Sequence, residues 1–218
     1  MSRIVVFGAG GRAGRRVVAE AVARGHRVTA VVPDPATEQD LAGGAVALVA
    51  GDVTRADSVA TVAAGHDAAI STVARLDVPS EEFYVSAAHA LLDGLGQAAV
   101  GRLVLIGIGT ILETAPGVRV HDAPGFPAEG RAFSLGHAAE LDVLRTSDTG
   151  TDWLMIAPPP TLLDAEAERT GRYRVGADGR VLPSADGTAL FSYADLAVAL
   201  VDEVETPKHH RTLIAVAP

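Results

Sequence analysis

The order of apolar and glycine-rich segments predicts an α/β fold, an open doubly wound parallel sheet. Three observations carry that reading. Short apolar runs without polar interruption recur along the chain, as strands buried on both faces require. Segments with apolar residues at helical spacing separate them. A run of glycines stands where the first strand gives way to the first helix.

That opening stretch is Arg3-Ile4-Val5-Val6-Phe7-Gly8-Ala9-Gly10-Gly11-Arg12-Ala13-Gly14. Ile4 to Phe7 reads as a buried strand. Arg15 to Arg24 reads as a helix with Val17, Val18, Ala21 and Val22 on one face. Gly8, Gly11 and Gly14 fit a G-x-x-G-x-x-G spacing, and Gly8, Gly10 and Ala13 fit the related G-x-G-x-x-A pattern. A first glycine permits the tight turn, and a second lets backbone N–H groups approach a pyrophosphate. A third lets the helix, with its positive N-terminal end, sit close to the strand. The stretch therefore predicts a dinucleotide site formed by Gly8, Gly10, Gly11, Arg12, Ala13 and Gly14.

Gly25-His26 ends the first helix, and Arg27 to Val32 is the second strand. Pro33-Asp34-Pro35 stops it, since proline cannot continue a ladder. A dinucleotide fold reads the adenosine ribose here, with an acid for a free 2′-OH or a cation for a 2′-phosphate. Asp34 offers the acid and is equally a plain turn residue; Arg12 and Arg15 offer the cations. Val46 to Ala50 is the third strand, followed by Asp52 and Val53 as an adenine contact. Ala56 to Ala64 is a short helix. The fourth strand, Asp67 to Val73, carries Ser71, Thr72 and Val73 past the nicotinamide ribose.

Ser80 is expected to cap a long helix to about Ala99, with Glu81 and Glu82 favouring its dipole. Tyr84 has Ala88, not lysine, four residues on. Arg102 to Ile106 is the fifth strand, ending at Gly107-Ile108-Gly109-Thr110. Residues 111 to 130 hold three prolines and three glycines and form a long loop of the kind that usually serves function. A helix from about Arg131 to Ser147 places His137, Glu140, Leu141 and Leu144 on one face. Asp152 to Ala157 is the sixth strand, stopped by Pro158-Pro159-Pro160. Thr170 to Val175 and Arg180 to Leu182 flank an Asp178-Gly179 turn, which predicts a small hairpin outside the main sheet. Ser192-Tyr193-Ala194-Asp195 reads as a capping box with aspartate for glutamate, opening a helix to about Glu205. Thr212 to Val216 is the last strand.

At 218 residues the chain reads as one domain, residues 1 to 218, with a substrate-side region near residues 158 to 195. No apolar run reaches the roughly 18 residues of a membrane helix. The chain enters its first strand by residue 4, which leaves no room for a signal peptide, so a cytoplasmic location is expected. With no cysteine, thiolate catalysis and Cys-ligated metals are excluded, and no metal site is expected. A formal net charge of −9 argues against nucleic acid as a partner.

Across nearly its whole length the chain resembles the NAD(P)H-binding atypical short-chain dehydrogenases, the NmrA-like group. Within them it is most similar to the small candidate NADH-flavin reductases and the biliverdin/flavin reductase type. The opening turn carries the likeness, with Arg24 to Val32, Gly51-Asp52-Val53, Thr151-Asp152-Trp153, Arg169 to Tyr173 and Ser192 to Glu203. The resemblance implies a Rossmann-type sheet with a small C-terminal hairpin-helix substrate region. It also implies NADP or NAD as cofactor, with a slight lean to NADP.

Four positions depart from the group. Gly10 replaces a threonine, Pro33 an arginine suited to a 2′-phosphate, and His137 an active-site lysine. Ala157-Pro158-Pro159 replaces Arg-Pro-Gly. Phe133 and His137 have the spacing of the tyrosine–lysine pair of standard short-chain dehydrogenases without its chemistry. The expected activity is hydride transfer from NAD(P)H to a flavin, quinone or small carbonyl. His137 and Thr110 are the catalytic candidates, and Arg131 and Tyr173 the substrate contacts. A non-catalytic NAD(P) sensor, and a ketoreductase or epimerase of secondary metabolism, are the alternatives. The expected partner is a small-molecule substrate or flavin, and the chain is expected to be a monomer or homodimer.

Overall fold

A computed structural model describes residues 1–161, 163–176, 179–183 and 190–218. Its centre is an eight-stranded sheet in the order β3-β2-β1-β4-β5-β8-β10-β9. The strands are β1 (Arg3–Phe7), β2 (Arg27–Val32), β3 (Val46–Ala50), β4 (Ala68–Ser71), β5 (Arg102–Ile106), β8 (Asp152–Ala157), β9 (Arg174–Gly176) and β10 (Thr212–Ala217). All but β9 run parallel. A two-stranded antiparallel ribbon, β6 (Glu113–Ala115) with β7 (Val118–Arg119), stands apart from this sheet. Among the described residues the α-helices are α1 (Arg12–Ala23), α2 (Ala56–Ala63), α3 (Ser80–Gln97), α4 (Ala128–Thr146) and α5 (Tyr193–Glu205).

The side-chain period of two along each strand divides the core. Val5 and Phe7 of β1 point toward α2, α3 and α4, where they join Val59, Leu91, Leu95, Leu141 and Trp153. Ile4 and Val6 point the other way, toward α1 and α5, and join Val17, Ala21, Leu196 and Leu200. Burying each such large apolar side chain contributes about 1.5–3 kcal/mol, so the two clusters hold the helices to both faces. Because both faces are covered, β1, β4 and β8 are almost wholly apolar, which is the pattern that predicted them.

The chain builds outward from β1 to β2 and β3, then crosses back to place β4 on the other side of β1. The connections after β1 and β4 therefore diverge. The crevice they leave lies outside the carboxyl ends of the two strands, where open α/β sheets bind ligands.

Several boundaries differ from the sequence expectation. The first helix begins at Arg12, three residues earlier than the apolar periodicity places it, because its first turn faces the glycine loop and needs no apolar residues. Ser80 is the first helical residue of α3 and not its cap; its hydroxyl donates to the Phe133 carbonyl of α4 at 3.3 Å. That approach works because Gly136 has no side chain: a Cβ there would overlap Ser80. The predicted 170–182 hairpin outside the sheet is also corrected. Arg174–Gly176 pairs with β10 and completes the sheet edge, and Arg180 bridges to Glu113. Exposed strand edges seek partners, and β10 offered one. The predicted turn residues Ala177 and Asp178 lie outside the described residues. Ser192 does cap α5 by accepting from the Asp195 amide at 2.9 Å. Asp195 does not close the box, because its carboxylate accepts from the Thr170 and Gly171 amides and the Thr170 hydroxyl.

Candidate dinucleotide site and reaction corner

The glycine turn is fixed from three sides. The amides of Gly8 and Ala9 both donate to the Val31 carbonyl of β2 at 3.2 Å, and the Gly11 amide donates to the Gly8 carbonyl at 3.1 Å. From β4, Thr72 donates its hydroxyl to the carbonyls of Phe7 and Gly8 at 3.0 Å each. Gly8 takes a φ of +77°, which favours glycine, and a Cβ on it would stand 2.9 Å from the Val73 nitrogen. A Cβ on Gly14 would overlap the Gly8 carbonyl, so α1 lies against the turn. Gly11 differs: a Cβ there would meet only the Gly8 oxygen, at 3.4 Å. Gly8 thus allows the tight turn and Gly14 the close approach of the helix, and Gly11 is the one turned outward.

This turn can hold a dinucleotide. The first amides of a helix have no partner within it, and those of Arg12 and Ala13 point out of the α1 terminus. Among the described residues the Gly10 amide also has no hydrogen-bond partner. Together with the helix dipole they form a donor set for a pyrophosphate, the group that this fold places there.

The flanking candidates are less free. Asp34 caps a 3₁₀ turn, Pro35–Thr37, by accepting from the Ala36 amide at 2.9 Å. Asp52 accepts from the amide and hydroxyl of Thr54 at 2.9 and 2.6 Å, and Val53 packs on the core. Ser71 is buried in β4 opposite Phe7 and Leu105. The hydroxyl of Thr72 is spent on the turn itself. Arg15 pairs with Glu38 and Asp40, whereas Arg12 is exposed and makes no ion pair among the described residues.

The second half of the site lies where β5 and β8 end. Gly109 lies against the backbone of Pro158-Pro159-Pro160 so closely that a Cβ would overlap it. Thr110 follows, and its hydroxyl is 2.6 Å from that of Ser134, which donates in turn to the Gly130 carbonyl at 2.7 Å. The sequence reading missed two members of this corner. Ser134, one turn before His137, is fully buried. His121 is 2% exposed, and its Nδ1 donates to the Thr110 carbonyl at 2.8 Å. Their signal was the unusual length of the 111–130 loop, which tucks His121 inward and is tied to the 179–181 segment through Glu113.

His137 lies between α3 and α4 and is 4% exposed. Its ring packs on Tyr84 with centroids 3.9 Å apart and on Phe133 at 5.1 Å. Nδ1 is 2.9 Å from a Glu140 carboxylate oxygen. Burial pushes the Glu140 carboxyl above its ordinary value, although His137 pulls it the other way. Burial and the Glu140 charge likewise push up the Tyr84 phenol, whose buried hydroxyl has no partner among the described residues. Ser134 links this helix face to Thr110.

The structure does not bring Arg131 or Tyr173 to these groups in the form expected. Arg131 donates to the His121 carbonyl and pairs with Asp122, which pins the loop to the start of α4. Tyr173 donates to Asp202 at 2.6 Å, and Asp202 also holds Arg24 at the far end of α1 from the glycine turn. Among the described residues no cluster of His, Asp or Glu is arranged to hold a metal ion, and no helix is long and apolar enough to cross a membrane.

A glycine turn between the first strand and first helix of a doubly wound sheet is the architecture of the NAD(P)-binding Rossmann proteins, an oxidoreductase-like class. The NAD(P)H-binding family matches residues 8–207, and the chain belongs to that family. Its fold agrees with that of a candidate exported protein from Burkholderia pseudomallei, with TM-score 0.86, 35% identity and 100% of each chain covered. A candidate epimerase from Bacteroides thetaiotaomicron is also similar, with TM-score 0.86, 30% identity, and 99% of this chain and 96% of that one covered. A candidate NADH-flavin reductase from Streptococcus pneumoniae gives TM-score 0.82 and 27% identity over 99% of each chain.

Proposed function

We propose that this chain is an NAD(P)H-dependent reductase that passes hydride to a flavin, quinone or small carbonyl without a tyrosine–lysine pair. One observation carries the reading: the turn presents unpartnered backbone donors, while the polar side chains of the reaction corner are already bonded to one another. When bound, the nicotinamide supplies the hydride. The chain's own part is to bind the pyrophosphate at Gly10 to Ala13, to orient the ring at the β4 and β5 ends, and to keep water from the corner. Thr110 with Ser134 positions an acceptor oxygen. His137, its Nδ1 oriented by Glu140, supplies a proton through Nε2 where the acceptor needs one. Acceptors that stabilise charge themselves need little of this, which favours a flavin or quinone.

Arg15 is withdrawn from the cations that leaned the cofactor toward NADP, since it already holds two acids; Arg12 is left. A cytoplasmic setting, where reduced nicotinamide is plentiful, suits this chemistry.

Two rival readings have an observation each. The mutual bonding of Thr110, Ser134, His137 and Glu140 also suits a non-catalytic sensor of cofactor state. The likeness to a candidate epimerase supports a ketoreductase or epimerase. Oxidation of NADH and NADPH with a panel of flavins, quinones and carbonyls separates the three. Turnover with flavin or quinone supports the proposal. Tight binding with no turnover on any acceptor supports the sensor and overturns it, and turnover confined to carbonyls narrows the proposal to its ketoreductase form.

A further inference from the structure

We infer that Glu38, held over the glycine turn by Arg15, makes the adenosine end of the site selective for NAD(H) over NADP(H). The inference rests on a dinucleotide lying at the opening turn, and it names which of the two that turn takes.

After β2 the chain folds back on itself. Pro35–Thr37 and Gln39–Leu41 form two short 3₁₀ turns, with Asp34 capping the first. They return Glu38 to the glycine loop. A Cβ on Gly10 would stand 2.9 Å from both Cδ and Oε1 of Glu38, so the carboxylate occupies the space that a side chain at Gly10 would fill. Arg15 fixes it there. One guanidinium nitrogen pairs with Glu38, another pairs with Asp40, and Nε donates to the Gly10 carbonyl at 3.0 Å. The hydrogen bond that this guanidinium donates to Asp40 is the largest of the contacts that hold it above its ordinary value.

The adenosine ribose of a dinucleotide passes between the glycine turn and the end of β2, which is where this carboxylate lies. A ribose 2′-OH donates a hydrogen bond that a carboxylate accepts. A 2′-phosphate brings two further negative charges against it. Of the two candidate cations Arg15 is committed, because it already answers Glu38 and Asp40, and Arg12 alone is left to offset them. Glu38 and Asp40 share one arginine, Arg15, and the Glu38 side chain is only 25% exposed, so water screens it incompletely. Gly10 leaves the room in which Glu38 lies, and the sequence pattern alone shows neither the fold-back nor the clamp.

The experiment is the dissociation constant of NADH and of NADPH, read by calorimetry for wild type, Glu38→Gln and Asp40→Asn at low and high salt. Wild type is expected to bind NADH more tightly. Glu38→Gln keeps an acceptor for the ribose and removes the charge, so NADPH should gain about ten-fold or more while NADH changes little. Asp40→Asn also removes a charge and loosens the hold on Arg15, so it should raise NADPH affinity in the same direction but less than Glu38→Gln does. Added salt should narrow the wild-type preference, as repulsion between charges is screened. Equal wild-type affinities, an unchanged ratio in Glu38→Gln, or an equal gain for both cofactors overturns the inference while leaving the site in place. No binding of either dinucleotide overturns the site and the inference together.

Discussion

The glycine turn and the β5–α4 corner both follow the carboxyl ends of parallel strands, β1 and β5, yet they are built on opposite terms. The turn works with backbone. Gly8 and Gly14 are glycines because neighbouring main chain fills the space of a side chain, while the amides of Gly10 and Arg12 have no partners among the described residues. The corner works with side chains, and they are satisfied internally: Thr110 with Ser134, His121 with the Thr110 carbonyl, and His137 with Glu140. A group left unpaired at a crevice is available to a ligand, whereas one already bonded must first give something up. On the proposed function, binding strength belongs to the first region, and the second tunes the chemistry that the cofactor and acceptor bring.

The sharpest way to break this contrast is at the turn. Gly14→Ala forces a Cβ onto the Gly8 carbonyl, so it should destabilise the fold by about 1–3 kcal/mol or more and abolish dinucleotide binding. Thermal unfolding and a titration with NADH read the two effects. Gly11→Val is the cleaner partner, because its Cβ meets only one atom at 3.4 Å. It should keep the native melting temperature and still lose binding by blocking the pyrophosphate. Wild-type affinity for NADH and NADPH in Gly11→Val would move the site elsewhere.

At the corner the expected effects are smaller and depend on the acceptor. His137→Ala should lower carbonyl reduction about 10²-fold or more at neutral pH, the usual worth of a proton donor, with dinucleotide affinity unchanged. Flavin reduction should be spared. Rates measured against pH with both acceptors decide it; equal rates and profiles in variant and wild type would return His137 to a packing role. His121→Ala under the same assay tells whether the second imidazole shares that role, and a loss confined to His137→Ala is expected.

The smallest effect is on stability. The Glu140 carboxyl is raised by burial, so the unfolded chain releases its proton at lower pH than the native one. Stability from this group is fully present below the ordinary glutamate range and is lost as pH rises through that range toward the folded value. Glu140→Gln keeps an acceptor for His137 Nδ1–H and removes the titration. Denaturant midpoints measured from pH 4 to 7 should fall less with pH in the variant than in wild type. Parallel curves would mean that Glu140 titrates alike in both states.

The strand–glycine–helix order was legible because it is local. Gly8, Gly11 and Gly14 act through the backbone within a few residues, so spacing alone identifies them, and unbroken apolar runs report strands covered on both sides. The family likeness carried the substrate-side motif too, and Asp195 shows why Thr170-Gly171 and Ser192 belong together: one carboxylate caps the turn that the other segment presents. Tertiary structure decided what depends on partners far along the chain. Arg15 read as a phosphate-binding cation until Glu38 and Asp40 folded back onto it. Tyr173 read as a substrate contact until Asp202, 29 residues on, took its hydroxyl. His121 was one histidine in a long loop until the loop buried it against Thr110. A side chain's type and spacing fix what it can bond, but which bond it makes is set by whichever partner the fold brings within about 3 Å, and that choice is not local.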